Sequence, residues 1–142
     1  MSILSSLKTY LQNYSELKEN APVWADFVGE DPTQYSIVPI PGSKVIEYYL
    51  DGSSLRSFTF AFQSTEYTAD ELERLETNEF FEAFAEWMET QTENGSLPTL
   101  ASGKEAEEIR ALGWHYLYQQ GNSSTGIYQV QCELIYHQDA IS

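Results

Sequence analysis

The segment from Lys44 to Ser64 is the part of the sequence that most constrains the fold. It contains a turn sequence, Asp51-Gly52-Ser53-Ser54, between two stretches with β-type composition. Glycine adopts positive φ angles at little steric cost, so a turn of this kind favours a hairpin. After the turn, Phe58, Phe60 and Phe62 alternate with smaller residues. Alternation places them on one face of a strand, which predicts an antiparallel hairpin with an aromatic face in the core.

Two helical regions are predicted on either side of this hairpin. A stripe of leucines and a tyrosine at three- and four-residue spacing predicts an amphipathic helix from Ser2 to about Glu19. Thr68 and Glu71 form a capping-box pattern that opens a second region, and Gly95 closes it. The apolar spacing of this region slips at Thr77-Asn78, which predicts a kink or two consecutive helices.

Further strands are predicted at Val23 to Val28, Tyr35 to Ile40, Glu108 to Tyr118 and Ile127 to His137. This order of elements predicts an α+β fold, with a mainly antiparallel β-sheet of about four to five strands and two or three helices packed on one face. The length of 142 residues predicts a single domain over residues 1–142.

The charge of the chain disfavours several classes of partner. Asp and Glu number 22 against seven Lys and Arg, which gives a net charge of -15. Binding to a nucleic-acid backbone requires clustered basic side chains, and here they are scattered, so specific nucleic-acid binding is not expected. An anionic membrane surface would repel the chain. Without a signal peptide or a long apolar run, we expect a soluble protein made in the cytoplasm.

Five glutamates form a candidate acidic surface on the second helix: Glu79, Glu82, Glu86, Glu89 and Glu93. Their spacing of three and four residues places them on one helical face. Three interpretations are open, namely a metal-binding carboxylate cluster, a surface that imitates DNA phosphates, and a solvated face opposite Phe81, Phe84 and Met88. The chain has no Glu-x-x-His partner of the kind found in di-iron helices. The sequence therefore favours the solvated face, and we expect no metal and no cofactor.

Cys132, with His115 and His137, is the one arrangement that suggests a nucleophile. The alternation of the last strand points Cys132 toward the core, where a thiol is unreactive. His115 has the opposite parity to Trp114 and is expected to face outward. The sequence contains no phosphate-binding loop or nucleophile elbow. We therefore expect that the protein is not an enzyme and has no catalytic residues.

Trp114, Tyr116 and Tyr118 alternate along the strand predicted from Glu108 to Tyr118. Such alternation is typical of a core face, but tyrosine hydroxyls favour access to water or to a partner protein. Both interpretations of this stripe remain open from the sequence.

Several segments, taken in order, resemble a family of small minor capsid or tail terminator proteins of siphophages and of prophages in Gram-positive bacteria. They are Tyr35-Ser36-Ile37-Val38-Pro39, Tyr49-Leu50-Asp51-Gly52-Ser53-Ser54, Phe58-Thr59-Phe60-Ala61-Phe62, Asn78-Glu79-Phe80-Phe81-Glu82-Ala83-Phe84-Ala85-Glu86-Trp87, Gly95-Ser96-Leu97-Pro98 and Tyr128-Gln129-Val130-Gln131-Cys132-Glu133-Leu134. The resemblance covers nearly the whole chain, including the amphipathic N-terminal helix. The chain departs from the family pattern in its acidity.

The resemblance implies a structural component of the virion tail, made in the cytoplasm of the bacterial host. Such a protein assembles with copies of itself as a ring, with six copies implied, at the head-proximal end of the tail tube. Its partners would be the tail tube protein and a head-neck connector protein. The alternative, which the acidity suggests, is an acidic DNA mimic or another inhibitor that binds a basic protein.

Overall fold

The computed structural model describes residues 2–15, 17, 23–25, 34–120 and 124–140. Two helices and seven strands are present there, in the order α1 (Ile3–Leu11), β1 (Val23–Ala25), β2 (Gln34–Pro39), β3 (Lys44–Tyr48), β4 (Ser54–Tyr67), α2 (Glu71–Asn94), β5 (Lys104–Ala111), β6 (Tyr116–Gln120) and β7 (Thr125–Gln138). The end of the strand predicted at Val23 to Val28 lies outside the described residues, which include only its first three positions.

Two strands of 14 residues, β4 and β7, pair antiparallel along their whole length and form the centre of the sheet. Along the outer side of β4, β3 pairs with its first residues and β2 with its later ones. Along the outer side of β7, β6 pairs near its start and β5 near its end. The short strand β1 then adds to β2 in parallel. The predicted β3–β4 hairpin is confirmed.

The α+β prediction is therefore confirmed, and most strand pairs are antiparallel. The expected number of four to five strands is too low, because each long central strand has two short partners in succession on its outer side.

Both helices cover the same face of the sheet, where the aromatic stripe predicted on β4 lies. Phe60 and Phe62 are fully buried. The ring of Phe62 stacks on Phe84 of α2 at 4.3 Å between centroids, and Tyr14 contacts Phe84 at 5.5 Å. The predicted core position of the Phe stripe is confirmed, although Phe58 at its end is only partly buried.

The helix α1 begins as predicted and ends earlier than predicted. The Ser2 hydroxyl accepts a hydrogen bond from the Ser5 N–H at 3.0 Å, and the Ser5 side chain reciprocates. The helix ends at Leu11 and not near Glu19. Residues 12–15 form turns, from which Tyr14 still reaches the core. The apolar spacing therefore continues beyond the end of the helix, because the turn places the Tyr14 side chain in the core.

The helix α2 is capped by a different residue from the one predicted. The Asp70 carboxylate accepts a hydrogen bond from the Leu72 N–H at 2.8 Å. Thr68, the predicted cap, instead receives hydrogen bonds from the side chains of Gln120 and Arg74. The bond from Gln120 ties the Thr68 side chain to β6, and the helix is capped two residues later, at Asp70.

The same helix is continuous from Glu71 to Asn94, so the prediction of two consecutive helices is wrong. Polar side chains at the predicted break bond back to the preceding turn, from Thr77 to the Glu73 carbonyl and from Asn78 to the Arg74 carbonyl. The helix ends as predicted at Gly95, whose φ angle is 74°. No helix among the described residues is both long and apolar enough to cross a membrane.

Candidate functional site

The strand predicted from Glu108 to Tyr118 is interrupted, and this changes which side chains are exposed. β5 ends at Ala111 and β6 begins at Tyr116, so residues 112–115 form a connection. In this connection His115 turns inward. Its ring stacks on Phe81 at 5.3 Å, and its Nε2 atom lies 2.6 Å from the Asn78 Oδ1 atom. The expectation that His115 faces outward was wrong, because residues 112–115 form a connection and not a strand, and the half-buried His115 ring packs on Phe81.

The interruption leaves a row of apolar side chains exposed, which we name the aromatic edge: Trp114, Tyr116, Leu117 and Tyr118. The Trp114 side chain is 78% exposed. Among the described residues, β6 pairs with β7 only, so its other side is a free edge of the sheet. The core interpretation of the Trp/Tyr stripe is therefore wrong, because these side chains are accessible to solvent.

Specific contacts hold β6 against the sheet. The Gln129 side chain donates a hydrogen bond to the Tyr116 hydroxyl at 2.7 Å and accepts one from Gln63 at 2.6 Å. At Gly126 a Cβ atom would lie 2.9 Å from the Leu117 Cδ1 atom, closer than such atoms approach. Gly126 therefore allows Leu117 to lie close to β7. The aromatic edge is a built part of the fold and not a loose loop.

A signal for this edge exists in the sequence, although the strand analysis missed it. From Ala111 to Cys132 the chain has 22 consecutive residues without Asp, Glu, Lys or Arg. The rest of the chain contains all 29 charged residues. The uncharged segment includes the whole of β6, whereas the other edge strand on the same side, β5, contains five charged residues.

A second exposed apolar group, which we name the β3 tip, lies on the opposite edge of the sheet: Ile46, Tyr48 and Leu50. The turn beyond it is ordered, because the Asp51 carboxylate accepts hydrogen bonds from the backbone and the hydroxyl of Ser53 at 2.9 and 2.5 Å. Gly52 supplies a φ angle of 90° there. The structure thus fixes apolar side chains in solvent at two free edges.

The candidate acidic surface forms one wall of a groove of about 670 Å³ between α2 and the β5–β6 region. Glu82, Glu86, Glu89 and Glu93 line this groove, and Glu79 is exposed outside it. Glu108 and Trp114 contribute to the opposite wall. All five glutamates are exposed, as expected for a solvated face, and four of them also line the groove. Among the described residues, no three His, Cys, Asp or Glu side chains are arranged to hold a metal ion.

The face of the sheet away from the helices contains a buried polar network. The Glu133 carboxylate accepts hydrogen bonds from the Ser57 hydroxyl at 2.7 Å and from Arg110 at 2.8 and 3.1 Å. Burial acts to raise the pKa of Glu133, but these hydrogen bonds and the nearby positive charges of Arg110 and Lys44 outweigh it, so its pKa lies below the usual value. The network neutralises one carboxylate inside the sheet.

Of the three residues considered as a nucleophile arrangement (Cys132, His115 and His137), Cys132 lies in the core as predicted. Cys132 is fully buried, and burial strongly raises the pKa of its thiol. His137 is elsewhere, stacked on Tyr49 at 6.0 Å. Burial also lowers the pKa of His115, and the negative charge of Glu82 only partly opposes this. The neutral thiol is a poor nucleophile at this position.

Comparison with known proteins does not add to this description of the surfaces. A scan against protein-family models finds no matching family, and a search of curated proteins finds no significant match.

Proposed function

We propose that this protein is a structural subunit that assembles with copies of itself, and that it serves as a tail component of the tail-terminator type. In this role a ring at the head-proximal end of the tail tube joins the tube to the head. Its other partners are the tube protein and a connector protein of the neck, and its final location is the virion tail.

The observation that supports assembly is the position of the exposed apolar side chains. In the part of the chain that the structure describes, the aromatic edge and the β3 tip lie at strands that pair on one side only, on opposite edges of the sheet. Monomeric proteins usually protect such edges with charges or cover them. An acidic chain that contacts its own copies repels them wherever carboxylates meet, so an uncharged contact surface suits self-assembly. The more specific role in a tail rests on the sequence resemblance.

Light scattering over a range of protein concentrations tests the proposal. Six copies of a 16.2-kDa chain weigh about 97 kDa, and we expect a species near this mass to replace the monomer as concentration rises. Negative-stain images of that species should show rings. A chain that remains monomeric at every concentration would contradict self-assembly.

The acidic groove supports a second candidate function, which is binding of a basic protein as a DNA mimic or inhibitor. Four exposed glutamates of α2 line the groove, namely Glu82, Glu86, Glu89 and Glu93. Carboxylates on one surface attract basic partners at low salt. This function predicts that a double variant, Glu86→Gln with Glu89→Gln, loses binding to a basic test protein such as a histone. The self-assembly function predicts that the same variant assembles like the unmodified protein.

A further inference from the structure

We propose that the groove between α2 and the β5–β6 region binds a basic amphipathic helix of a partner protein. This inference rests on the second candidate function, and it specifies the ligand that the groove takes. An amphipathic helix that lays its apolar face into a hydrophobic groove is a general mode of protein recognition. Four properties of the groove suit this mode: its apolar floor, its charged rim, its length and its exposed tryptophan.

The floor of the groove is apolar, although its rim is acidic. Side chains from the helix layer and from the sheet form this floor, namely Phe81, Ala85, Ile109, Ala111 and Val130. The two alanines are half-buried, and their short side chains leave apolar surface accessible from the groove. A ligand with basic side chains alone would leave this surface in contact with water. A ligand with an apolar face covers it, which is favourable.

The rim of the groove carries negative charge that the fold does not neutralise. On the α2 side it consists of four exposed glutamates: Glu82, Glu86, Glu89 and Glu93. Within the ranges that the structure describes, none of them takes part in an ion pair. Arg110 also lines the groove, but its guanidinium donates to Glu133. The charge of the rim is therefore complementary to a basic ligand.

The spacing of these glutamates matches a helical ligand better than an extended one. Successive glutamates are four, three and four residues apart on α2, which separates them by about 5.5 Å along the helix axis on average. A helix lying along α2 repeats the side chains of one face at nearly the same interval, about 5.4 Å. A strand repeats them every two residues, at about 6.6–6.8 Å. Basic side chains of a helix can thus meet the glutamates in succession over about three turns.

Trp114 provides an anchor for the ligand on the wall opposite α2, where most of its side chain is in solvent. The fold fixes the neighbouring residue, because the His115 ring stacks on Phe81 and lies within hydrogen-bond distance of Asn78. Tryptophan is enriched among the residues that dominate binding energy, and its ring face attracts Lys and Arg side chains. A helix in the groove therefore contacts an aromatic ring on one side and carboxylates on the other.

The charges of the two described helices exclude them, in a second copy, as the ligand. Lys8 is the single charged residue of α1, and α2 has Arg74 against eight glutamates. Neither helix presents a row of basic side chains, and α2 of a second copy would be repelled by the rim. The ligand is therefore a helix of a different protein.

Three synthetic peptides test the inference in titrations followed by fluorescence anisotropy. The first has about 12 residues, enough for a helix to span the groove, with leucines at helical spacing on one face and lysines elsewhere. In the second peptide serine replaces each leucine, and in the third a central proline interrupts the helix. We expect the first peptide to bind. The other two should bind at least about tenfold more weakly, because they lose the apolar contact or the helix.

Variants of the protein locate the bound peptide. Trp114→Ala should weaken binding of the first peptide by about tenfold, and Trp114→Phe by less, because phenylalanine keeps an aromatic face. Glu86→Gln with Glu89→Gln should weaken binding by about fivefold, since two exposed ion pairs are lost.

Glu105→Gln with Glu107→Gln is the matched control for the charge variant. It removes the same charge from exposed positions of β5 outside the groove. At physiological ionic strength it should change the affinity by less than about twofold, because salt screens distant charges. Circular dichroism verifies the folding of every variant, and all titrations use a protein concentration at which light scattering shows a single species.

The outcomes distinguish this inference from the second candidate function. If either altered peptide bound as tightly as the first, or if a histone bound and the first peptide did not, the inference would be overturned and charge-driven binding of a basic protein would stand. Peptide binding that neither Trp114→Ala nor the charge variant weakens would lie outside the groove and would also overturn it. If neither the first peptide nor a histone bound, both would be overturned.

Discussion

Replacement of Phe62 by alanine should destabilise the protein more than any exposed substitution. Phe62 is fully buried in β4, and its ring lies between Phe84 at 4.3 Å and Tyr35 at 5.8 Å. A buried aromatic side chain removes roughly 150–250 Å² from water. At about 25 cal/mol per Å² the lower value corresponds to about 4 kcal/mol, within the range of about 3–5 kcal/mol measured for such truncations.

This loss of free energy of unfolding converts into a shift of the melting temperature. A chain of 142 residues has an unfolding entropy of about 0.3 kcal/mol/K. A loss of about 4 kcal/mol therefore lowers the melting temperature by about 13 °C. Differential scanning calorimetry or circular dichroism measures the shift. All variants are compared at one protein concentration, because assembly also stabilises the folded state.

Phe62→Leu and Leu72→Ala are the controls for this prediction. Leucine retains much of the buried volume, so Phe62→Leu should lose clearly less stability than Phe62→Ala. Leu72 is 63% exposed, and its truncation should change stability by no more than about 0.5 kcal/mol. A loss below about 1 kcal/mol for Phe62→Ala would refute the central position of this ring.

Four further predictions concern polar contacts. In a double-mutant cycle of Arg110→Ala and Glu133→Ala we expect a coupling energy of about 1 kcal/mol, because half of the Arg110 side chain is in water. If the two substitutions lowered the free energy of unfolding additively, this would contradict the ion pair. The pKa of Glu133 in the folded protein lies below the ordinary glutamate value. Its contribution to stability is therefore present above the ordinary pKa and is lost as the pH falls through the pKa of the folded state. Acid unfolding of the unmodified protein and of Glu133→Gln, compared side by side, measures this contribution. Burial lowers the pKa of His115, so the unfolded chain binds more protons than the folded chain just below the ordinary histidine pKa. NMR titration of the folded protein should therefore show a His115 midpoint below 6.5. A higher midpoint would contradict the packing of its ring on Phe81. Asp70→Ala should cost about 1 kcal/mol and Asp70→Asn much less, because asparagine still caps the helix; equal losses would argue against the cap.

The parts of the fold that depend on local chemistry were predicted from the sequence. The turn at Gly52 determines the β3–β4 hairpin, and alternation along β4 and β7 identifies their core faces. The end of α2 at Gly95 likewise follows from the left-handed conformation that glycine adopts readily. These features need no knowledge of distant residues.

The errors occurred where distant contacts override local pattern. Thr68 matches a capping pattern, but it bonds to Gln120 across the sheet, and Asp70 caps the helix. Tyr14 continues a helical stripe, yet it reaches Phe84 from a turn. Local spacing cannot distinguish these arrangements, because both place the same side chains in the core.

The candidate surfaces were predicted in part. The helical spacing correctly places five glutamates on one face, but the groove depends on where β5 crosses α2, which periodicity does not determine. For the aromatic edge the sequence left two interpretations open, because alternation of Trp114, Tyr116 and Tyr118 is also typical of a core strand. The absence of charge from Ala111 to Cys132 is the better indicator, because it marks a surface that a highly acidic chain keeps neutral.

Native mass spectrometry of the unmodified protein tests most directly whether its exposed sheet edges serve self-assembly. A closed ring predicts one dominant species at an integer multiple of 16.2 kDa, with little material at intermediate multiples. Ions of the 16.2-kDa chain alone, at every protein concentration and at low and moderate salt, would contradict it.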